Sequence, residues 1–397
     1  MENKDIHEIK CDADVKIFAK TVEHEVFQQV KALGNYSAYT DSKIRIMPDC
    51  HAGRGCVIGT TMTVEDKITP NLIGVDIGCG MLTVNLGRID IDLEKLDKII
   101  NKHIPHGFGI HNKLTLDPKH LENLRCIRRV NLSRACKSIG SLGGGNHFIE
   151  LGVCSQDDKY LVIHSGSRGL GNQIAKHYQN LAHKKSDEIK SIKEDIIKNL
   201  KIQGRESEIS DTLKNLKKSP VIKDLCHLEG DDMQDYLIDM RIAQDYAAKN
   251  RREIADIIIN KLDIKEFDSF ETIHNYLDFN SMILRKGAVS ANKDEILLIP
   301  MNMRDGSLIC KGKGNPDWNY SAPHGAGRLF SRSKAKKYLD LDDFEKQMEG
   351  IYSTSVGKST LDEAPDAYKP MDEIIEMIGD TVDVIDIIKP LYNFKSH

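Results

Sequence analysis

The sequence lacks several features that would assign it to a common class. Its nine cysteines form no C-x-x-C pair, which argues against a zinc finger and against a disulfide scaffold. No apolar run approaches the length needed to span a membrane, so we expect no membrane partner. The net charge is −4, so any site for a polyanion must be local. The odd cysteine count and the absence of a signal peptide predict a cytoplasmic location.

What is present describes an ordinary globular chain. Its 397 residues include 40% hydrophobic and 29% charged residues, enough for one large domain or two medium ones. Alternating apolar residues predict a strand at Lys43 to Met47, and further strands are predicted at Cys56 to Val64 and Ile296 to Pro300. Apolar residues at helical spacing predict a helix from Thr21 to Leu33, with Gly34 as its stop, and a second helix at Leu93 to Ile104. The mixture predicts an α+β fold.

One long segment differs in composition from the rest. Residues 172–262 are rich in Lys and Glu and nearly free of glycine, which predicts a helical insertion within a single domain covering 1–397. We interpret its lysine-rich part, Lys184 to Lys218, as a solvated helical hairpin in preference to a surface for nucleic-acid phosphates. Arg251 and Arg252 are expected to meet either a phosphate or solvent.

Histidine and glycine occur together in several places. His103, His106 and His111 lie in a predicted loop without a fixed glycine frame, and we expect them to be solvent-exposed rather than metal-bound. His164 leads into SGSRGLG, which resembles a phosphate loop only loosely because no G-K-[ST] follows it.

The most unusual stretch is GVDIGCGM, from Gly74 to Met81. It sets a hard carboxylate, Asp76, three residues before a soft thiol, Cys79, inside a glycine-rich turn. Taken alone, this pattern is typical of a tight turn with a capping Asp and a buried Cys. Other glycine-rich segments, however, carry histidines in similar settings. The candidates that could share a metal site are Asp76, Cys79, His147, His164, His274 and His324.

Mixed oxygen, nitrogen and sulfur ligands point to a particular kind of site. Without closed Cys₄ or Cys₂His₂ spacing, they indicate an open catalytic site rather than a structural one. If Cys79 bridges two ions, a two-metal cluster suited to phosphoryl chemistry becomes available.

The chain also resembles the RtcB family of RNA ligases, in the compact bacterial-type form. The resemblance runs almost from end to end through PDCHAG, GVDIGCGM, GGGNHFIE, HSGSRG, HNY, SAPHGAGR, DEAPDAYK and a C-terminal lysine. The family joins an RNA 3′-phosphate or 2′,3′-cyclic phosphate end to a 5′-hydroxyl end. The resemblance therefore implies RNA repair or tRNA splicing, and central sheets that form a sandwich-like core around a metal and nucleotide cleft, flanked by helices.

The resemblance further implies a reaction that depends on GTP and two Mn²⁺ ions, through a histidine–GMP intermediate and an RNA 3′-pp-G activated end. It leaves room for an activator protein as a partner. His324 would be the nucleophile, and Asp49 would either orient it or be an ordinary turn carboxylate. The implied metal ligands are Asp76, Cys79, His147, His164 and His274, with Cys79 bridging both ions.

A larger set would contact the nucleotide. Asn146 would touch phosphate, Glu150 and Lys395 would face guanine, and Tyr368 would stack on the base. The full implied set is Asn146, His147, Phe148, Ile149, Glu150, His274, Asn275, Pro300, Met301, Asn302, Met303, Ser307, His324, Gly325, Ala326, Gly327, Tyr368 and Lys395. Arg168 is a candidate for holding RNA phosphates.

One stretch departs from the family pattern. Where the family commonly has PGSMG, this chain reads PMNMRDGS, with Met301 and Asn302 in place of the glycine and first serine. GTP affinity or nucleotide preference could therefore differ from that of other members.

Two other function classes compete with a ligase. A metal-dependent phosphoesterase could hydrolyse cyclic phosphate ends without sealing them, and it would need neither His324 nor the guanine-facing residues. A noncatalytic RNA-binding protein is disfavoured because the chain has no strong overall basic character and its site looks complete.

Overall fold

Two large β-sheets and two long helices dominate the computed structural model, which describes residues 6–53, 55–209 and 223–396 except for the side chains of 187–193, 195 and 207. The strands are β1 (His7–Glu8), β2 (Asp14–Ile17), β3 (Lys43–His51), β4 (Ile58–Thr63), β5 (Lys67–Ile68), β6 (Gly80–Gly87), β7 (Phe148–Val153), β8 (Lys159–Ser165), β9 (Leu228–Glu229), β10 (Asp268–Ile273), β11 (Asn275–Asp278), β12 (Ile283–Lys286), β13 (Ala288–Ser290), β14 (Ile296–Asn302), β15 (Gly306–Gly312), β16 (Ser321–Pro323) and β17 (Val382–Lys395).

The helices in the described part of the chain vary widely in length. The α-helices are α1 (His24–Gly34), α2 (Leu93–His103), α3 (Leu132–Cys136), α4 (Arg168–Ile202), α5 (Gly230–Leu262), α6 (Arg332–Tyr338), α7 (Leu341–Gln347) and α8 (Met371–Ile378). Short 3₁₀ helices cover Pro70–Leu72, Pro118–Leu121, Ile127–Arg129, Glu206–Glu208, Lys223–Leu225, Pro316–Trp318, Leu361–Glu363 and Pro365–Ala367.

The two sheets differ in strand order and in the parts of the chain that form them. One sheet has the order β1-β2-β3-β4-β12-β11, in which only the β2–β3 pair is parallel. The other has the order β10-β6-β8-β7-β17-β15-β14 and is antiparallel throughout. Short pairs β13–β16 and β5–β9 complete the pairing. The predicted α+β class is confirmed.

Helix α5 contributes to both of the largest apolar cores. Its first half buries Tyr236 and Met240 in the core beside the six-stranded sheet. Its second half buries Ile254 and Ile258 against strands β6, β7 and β8 of the seven-stranded sheet. Each pair has the four-residue spacing that puts side chains on one helical face. The helix therefore links the two halves of the structure, directly beneath the strand ends that carry the candidate metal ligands.

The structure differs from the sequence predictions at several boundaries. Strand β3 continues beyond the predicted Met47 through PDCH to His51; the register with β4 shifts between Ile46 and His51, and such an irregularity accommodates Pro48. Helix α4 begins at Arg168 rather than at residue 172. Of the lysine-rich segment interpreted as a solvated hairpin, residues 210–218 lie outside the described residues. In the described ranges, no helix is both long enough and apolar enough to cross a bilayer.

Candidate active site

The GVDIGCGM stretch forms a turn that leads into β6. Gly74 and Gly78 have φ angles of 93° and 75°, a conformation that favours glycine. A side chain at Gly78 would also collide with helix α5, because its Cβ would lie 2.9 Å from the Cα of Gln244. Arg251 of the same helix donates to the carbonyls of Gly78 at 2.7 Å and Ser165 at 2.9 Å. The expectation that Arg251 meets solvent or a phosphate is wrong, since it is buried and ties two ligand-bearing segments together.

Cys79 lies at the centre of the candidate metal ligands. Its Sγ is 3.4 Å from His147 Nε2 and 3.4 Å from His164 Nε2. His164 Nε2 lies 3.0 Å from His274 Nε2, and His147 Nε2 lies 2.9 Å from Asp76 Oδ2. The ligand atoms form two groups that share the thiol, Cys79–His164–His274 and Asp76–Cys79–His147, each within 4.8 Å. Five residues from four separate segments of the chain thus converge, each near a strand end.

Backbone carbonyls orient two of these imidazoles. His147 Nδ1 donates to the Leu142 carbonyl at 2.8 Å, and His164 Nδ1 donates to the Asn146 carbonyl at 3.1 Å. Because a carbonyl can only accept, these bonds fix the proton on Nδ1 and leave Nε2 as the lone-pair donor facing Cys79.

Burial keeps most of the ligands uncharged. It raises the pKa of the Cys79 thiol well above its usual value, and the Asp76 carboxylate adds to the effect. It lowers the pKa of His164 and of His274 well below the usual value. Neutral imidazoles and a thiol that loses its proton when a cation arrives are the forms that metal binding requires. The donor set of sulfur, nitrogen and oxygen fits divalent ions of the first transition row.

His324 stands next to this cluster. Its ring stacks on that of His274, with centroids 5.0 Å apart and planes at 24°. Asp49, which is fully buried, accepts from His324 Nδ1 at 2.6 Å and from the His324 backbone N–H at 3.1 Å. Gly327 follows closely, and a side chain there would collide with the Asp49 backbone at 2.4–2.9 Å. The carboxylate fixes the ring and leaves Nε2 as the nitrogen with a free lone pair.

A cavity of about 330 Å³ opens in front of His324. Both large sheets line it, which agrees with the expected cleft between sheets. Of the predicted nucleotide contacts, those that line it are Asn146, Phe148, Glu150, His274, Asn275, Pro300, Met301, Asn302, Met303, Ser307, His324, Gly325, Ala326, Gly327, Tyr368 and Lys395. His147 lies behind the wall, among the metal ligands. The side chain of Ile149 points to the opposite face of β7 and packs in the apolar core, because successive strand residues alternate in direction.

Comparison with known proteins agrees with this arrangement. A family model described as tRNA-splicing ligase RtcB matches residues 29–128 and 122–396.

The chain belongs to the RtcB family.

Relatives within the RtcB family span most of the chain. The RNA-splicing ligase RtcB1 of Escherichia coli strain ATCC 25922 is 30% identical over 94% of this chain and 95% of its own length. The RNA-splicing ligase RtcB of Escherichia coli K12 is 29% identical over the same shares. The tRNA-splicing ligase RtcB of Aeropyrum pernix is 26% identical over 84% of this chain and 83% of its own. The resemblance inferred from the sequence motifs is confirmed.

Sequence reasoning missed an important residue of the RtcB-family cavity, Glu363. This buried carboxylate accepts from Lys395 Nζ at 2.5 Å, Tyr368 Oη at 2.8 Å and Arg328 Nη1 at 3.4 Å. It also pairs with Arg332 Nη1 at 2.8 Å. Burial alone would raise its pKa, but Lys395 and the two arginines lower it to about 2. Glu363 and Tyr368 both belong to the motif DEAPDAYK, and Arg328 is the last residue of SAPHGAGR. Their presence in these motifs is the sequence feature that could have identified Glu363 as a site residue.

Glu150 is the second buried carboxylate at this cavity. Its Oε2 accepts from Asn393 Nδ2 at 2.8 Å, whereas no hydrogen-bond partner for Oε1 exists among the described residues. Burial raises the pKa of Glu150 to about 8, despite the opposing effects of Asn393 and Lys395. An unpartnered acceptor in a buried cavity fits a ligand that brings hydrogen-bond donors.

The loop that departs from the family pattern is internally ordered. The Asn302 Oδ1 accepts from the backbone N–H groups of Arg304 at 3.0 Å and Asp305 at 2.9 Å, and its Nδ2 donates to Asp305 Oδ2 at 2.7 Å. Met303 packs with Phe344 in a separate small apolar core. Asn302 therefore shapes a turn at the rim of the cavity.

Arg168, the candidate for holding RNA phosphates, is partly buried and makes contacts within the protein. Its Nε donates to Ser141 Oγ at 3.1 Å and its Nη2 to the Gly107 carbonyl at 3.0 Å. Arg168 therefore joins two loops beside the metal ligands. His103, His106 and His111, expected to be solvent-exposed, are partly buried, and His111 Nε2 lies 3.1 Å from the Gly140 carbonyl oxygen.

Proposed function

We propose that this chain is an RNA ligase that uses GTP and two Mn²⁺ ions to join RNA 3′-phosphate or 2′,3′-cyclic phosphate ends to 5′-hydroxyl ends. The observation that carries the proposal is the contact between the buried Asp49 and His324, beside a cluster of donors centred on Cys79. The whole chain would act as one catalytic domain, and membership of the RtcB family supports the reaction class.

His324 is the proposed nucleophile. Its Nε2 lone pair forms a bond to the α-phosphorus of GTP while the α–β phosphoanhydride bond breaks and pyrophosphate leaves. Asp49 holds the proton on Nδ1 and stabilises the positive charge that develops on the ring. The product is a covalent histidine–GMP phosphoramidate. This role needs a ring fixed in one tautomer, and the 2.6 Å contact with Asp49 supports it.

Five residues would hold the two ions: Asp76, Cys79, His147, His164 and His274. When bound, the ions would neutralise phosphate charge near His324. The protein orients these ligands in advance. Backbone carbonyls hold the rings of His147 and His164 so that their Nε2 atoms face the Cys79 thiol. Manganese rather than another divalent ion is part of the proposal, taken from the family resemblance.

Guanine recognition is assigned to the far end of the cavity. The ionised Glu150 would accept the N1–H and N2–H groups of guanine together, which adenine cannot offer. Lys395 would face the base, and Tyr368 would stack on it. Asn146 would contact a phosphate, and the glycines of GAGR would let backbone amides approach the nucleotide.

The second half-reaction transfers GMP from His324 to the RNA. An oxygen of the RNA 3′-phosphate attacks the GMP phosphorus, the P–N bond breaks and His324 regains its lone pair, which leaves an RNA 3′-pp-G end. The 5′-hydroxyl then attacks the activated 3′-phosphorus, loses its proton and displaces GMP. A cyclic phosphate end would first be opened by water to the 3′-phosphate.

The test is a sealing assay with purified protein, Mn²⁺, GTP and two RNA strands, one ending in 3′-phosphate and the other beginning with 5′-hydroxyl. We expect His324→Ala to abolish sealing while the protein remains folded. The exposed His120 provides a matched control, and His120→Ala should seal like the wild type. A folded His324→Ala protein that still seals the ends would exclude the assigned nucleophile.

A metal-dependent phosphoesterase remains the second candidate because the same donor cluster would serve hydrolysis. It predicts that the wild type opens or removes cyclic phosphates without GTP and never seals the strands. It also predicts that His324→Ala keeps this activity.

A further inference from the structure

An aromatic side chain is almost fully exposed on a loop that pairs with the segment preceding the candidate metal ligand His147. Phe108 is 96% exposed, the highest value among the large hydrophobic side chains of the described residues. Gly107 and Gly109 flank it, so neither neighbour has a side chain that could cover the ring faces. Phenylalanine is normally among the more buried residue types, and an isolated exposed ring is a candidate contact surface.

The loop that carries Phe108 is held in place on both sides. The Phe108 carbonyl accepts from Arg134 Nη2 at 2.7 Å, and the Gly107 carbonyl accepts from Arg168 Nη2 at 3.0 Å. The ring of His106, two residues earlier, meets Phe394 edge-to-face with centroids 5.3 Å apart. The exposed ring is therefore presented by an anchored backbone, which lowers the entropy cost of using it to bind a ligand.

This loop is paired with the segment that orients a metal ligand. The Gly107 N–H donates to the Gly143 carbonyl at 2.8 Å, and the Leu142 N–H donates to the Pro105 carbonyl at 2.8 Å. The Leu142 carbonyl in turn accepts from His147 Nδ1 at 2.8 Å. Phe108 therefore directly follows Gly107, whose backbone is hydrogen-bonded to the segment that leads to His147.

The surrounding sequence carries a local positive charge. Residues 102–137 contain eight Lys or Arg residues and only two Asp or Glu residues, although the whole chain has a net charge of −4. Arg134, which touches the Phe108 loop, is itself exposed. An exposed aromatic ring in a basic surrounding is the combination that binds single-stranded nucleic acid, by stacking on bases and by contact with phosphates.

We propose that Phe108 stacks on an unpaired base of the RNA strand near its reacting end, and that Arg134 contacts the adjacent phosphate. The inference rests on the proposed function for its choice of RNA as the ligand. Stacking would hold the strand next to the metal cluster without reading its sequence, because every base has a face on which a ring can stack.

The first test measures equilibrium binding of a fluorescein-labelled single-stranded RNA that ends in 3′-phosphate. We expect Phe108→Ala to weaken binding by on the order of 10-fold, and Phe108→Tyr to retain it. Arg134→Gln should reduce the slope of log Kd against log salt by about 0.7. Phe267, which immediately precedes β10, is 73% exposed and serves as the matched control, so Phe267→Ala should bind like the wild type. Unchanged melting temperatures would exclude misfolding.

A second readout locates the contact. The only native tryptophan, Trp318, is buried, so Phe108→Trp adds an exposed fluorophore that RNA should quench, while Phe267→Trp should not respond. Equal RNA affinity of wild type and Phe108→Ala, together with no quenching at position 108, would overturn the inference and leave a protein partner as the remaining occupant of this surface. Failure of wild-type sealing would instead refute the proposed function, since binding and quenching are measured without ligation.

Discussion

The donor cluster around Cys79 and the cavity in front of Glu363 adjoin each other, yet they solve the problem of buried polar groups in opposite ways. The cluster gathers three groups that burial keeps neutral around the single carboxylate of Asp76: the Cys79 thiol, with a raised pKa, and the His164 and His274 imidazoles, with lowered pKa. The cavity gathers opposite charges, with Glu363 accepting from Lys395, Arg328 and Arg332. The donor cluster is therefore suited to binding a cation, whereas the charges in the cavity already neutralise one another.

This difference has a functional consequence. A cation can enter the cluster by displacing one thiol proton, and the contact that must open is the one between His147 Nε2 and Asp76 Oδ2, which lie 2.9 Å apart. A nucleotide entering the cavity must compete with Glu363 for Lys395, whose Nζ lies 2.5 Å from that carboxylate. We therefore expect the metal site to be nearly preformed and the nucleotide site to rearrange when it is filled.

The largest expected effect comes from the centre of the cluster. Cys79→Ser removes the thiolate that both ligand groups share, so we expect manganese affinity to fall by more than roughly 100-fold, beyond the loss typical of a residue that only supports a ligand. Calorimetric titration with Mn²⁺ measures the change and the number of ions bound. Cys154→Ser, at a cysteine outside the cluster, is the control and should bind as the wild type does. If Cys79→Ser still binds two ions with wild-type affinity, Cys79 is not the shared ligand of the cluster.

The next effect concerns the compensated cavity. Glu363→Gln leaves Lys395 and the two arginines without their shared counter-charge, and we expect the free energy of unfolding at pH 7 to fall by about 3 kcal/mol. The exposed Glu349 gives the control, with Glu349→Gln changing stability by less than about 0.5 kcal/mol. Denaturant unfolding measures both.

The same carboxylate has a defined pH dependence. Because the folded-state pKa of Glu363 is lowered to about 2 from 4.5, its stabilisation is present above pH 4.5 and is lost as pH falls towards 2. The stability gap between the wild type and Glu363→Gln should therefore narrow below about pH 4.5. A gap that is constant between pH 7 and pH 4 and widens below it would contradict the assigned charge.

A smaller effect is expected at Glu150. Its pKa is raised to about 8, and guanine requires the ionised form, so GTP binding should tighten as pH rises from 6.5 to 8.5. The unliganded wild type should lose stability over the range from about 4.5 to about 8, because ionisation is disfavoured in the folded state. Glu150→Gln should bind GTP about 10-fold more weakly and without this pH dependence. An unchanged pH dependence in Glu150→Gln would remove Glu150 from base recognition.

The two regions also differ in how far they could be predicted from the sequence. The ligands of the cluster are Cys, His and Asp residues, each within two positions of a glycine or an asparagine, a set that is recognisable from residue type alone. Its convergence could not be derived from spacing, since it depends on the pairing of β6, β7 and β8 within one sheet.

The ion pairs of the cavity were less predictable, because the local sequence around a charged residue does not reveal its distant partner. Glu363 follows Asp362 in a short 3₁₀ helix, and only the tertiary fold brings Lys395 to it. Arg251 lies in a charged run that is typical of a helix surface. Its carbonyl partners, however, come from a turn 173 residues away and a strand end 86 residues away. The helical content of the 172–262 segment followed from its composition, whereas the burial of α5 against both sheets did not.

The most direct test of the central claim is covalent labelling by [α-³²P]GTP in the presence of Mn²⁺ and in the absence of RNA. We predict an adduct on His324 that is labile in acid and stable in alkali, that is absent from His324→Ala, and that forms poorly with [α-³²P]ATP. An adduct that persists in His324→Ala, or an equal yield with ATP, would contradict the assigned nucleophile or the assigned guanine contacts respectively.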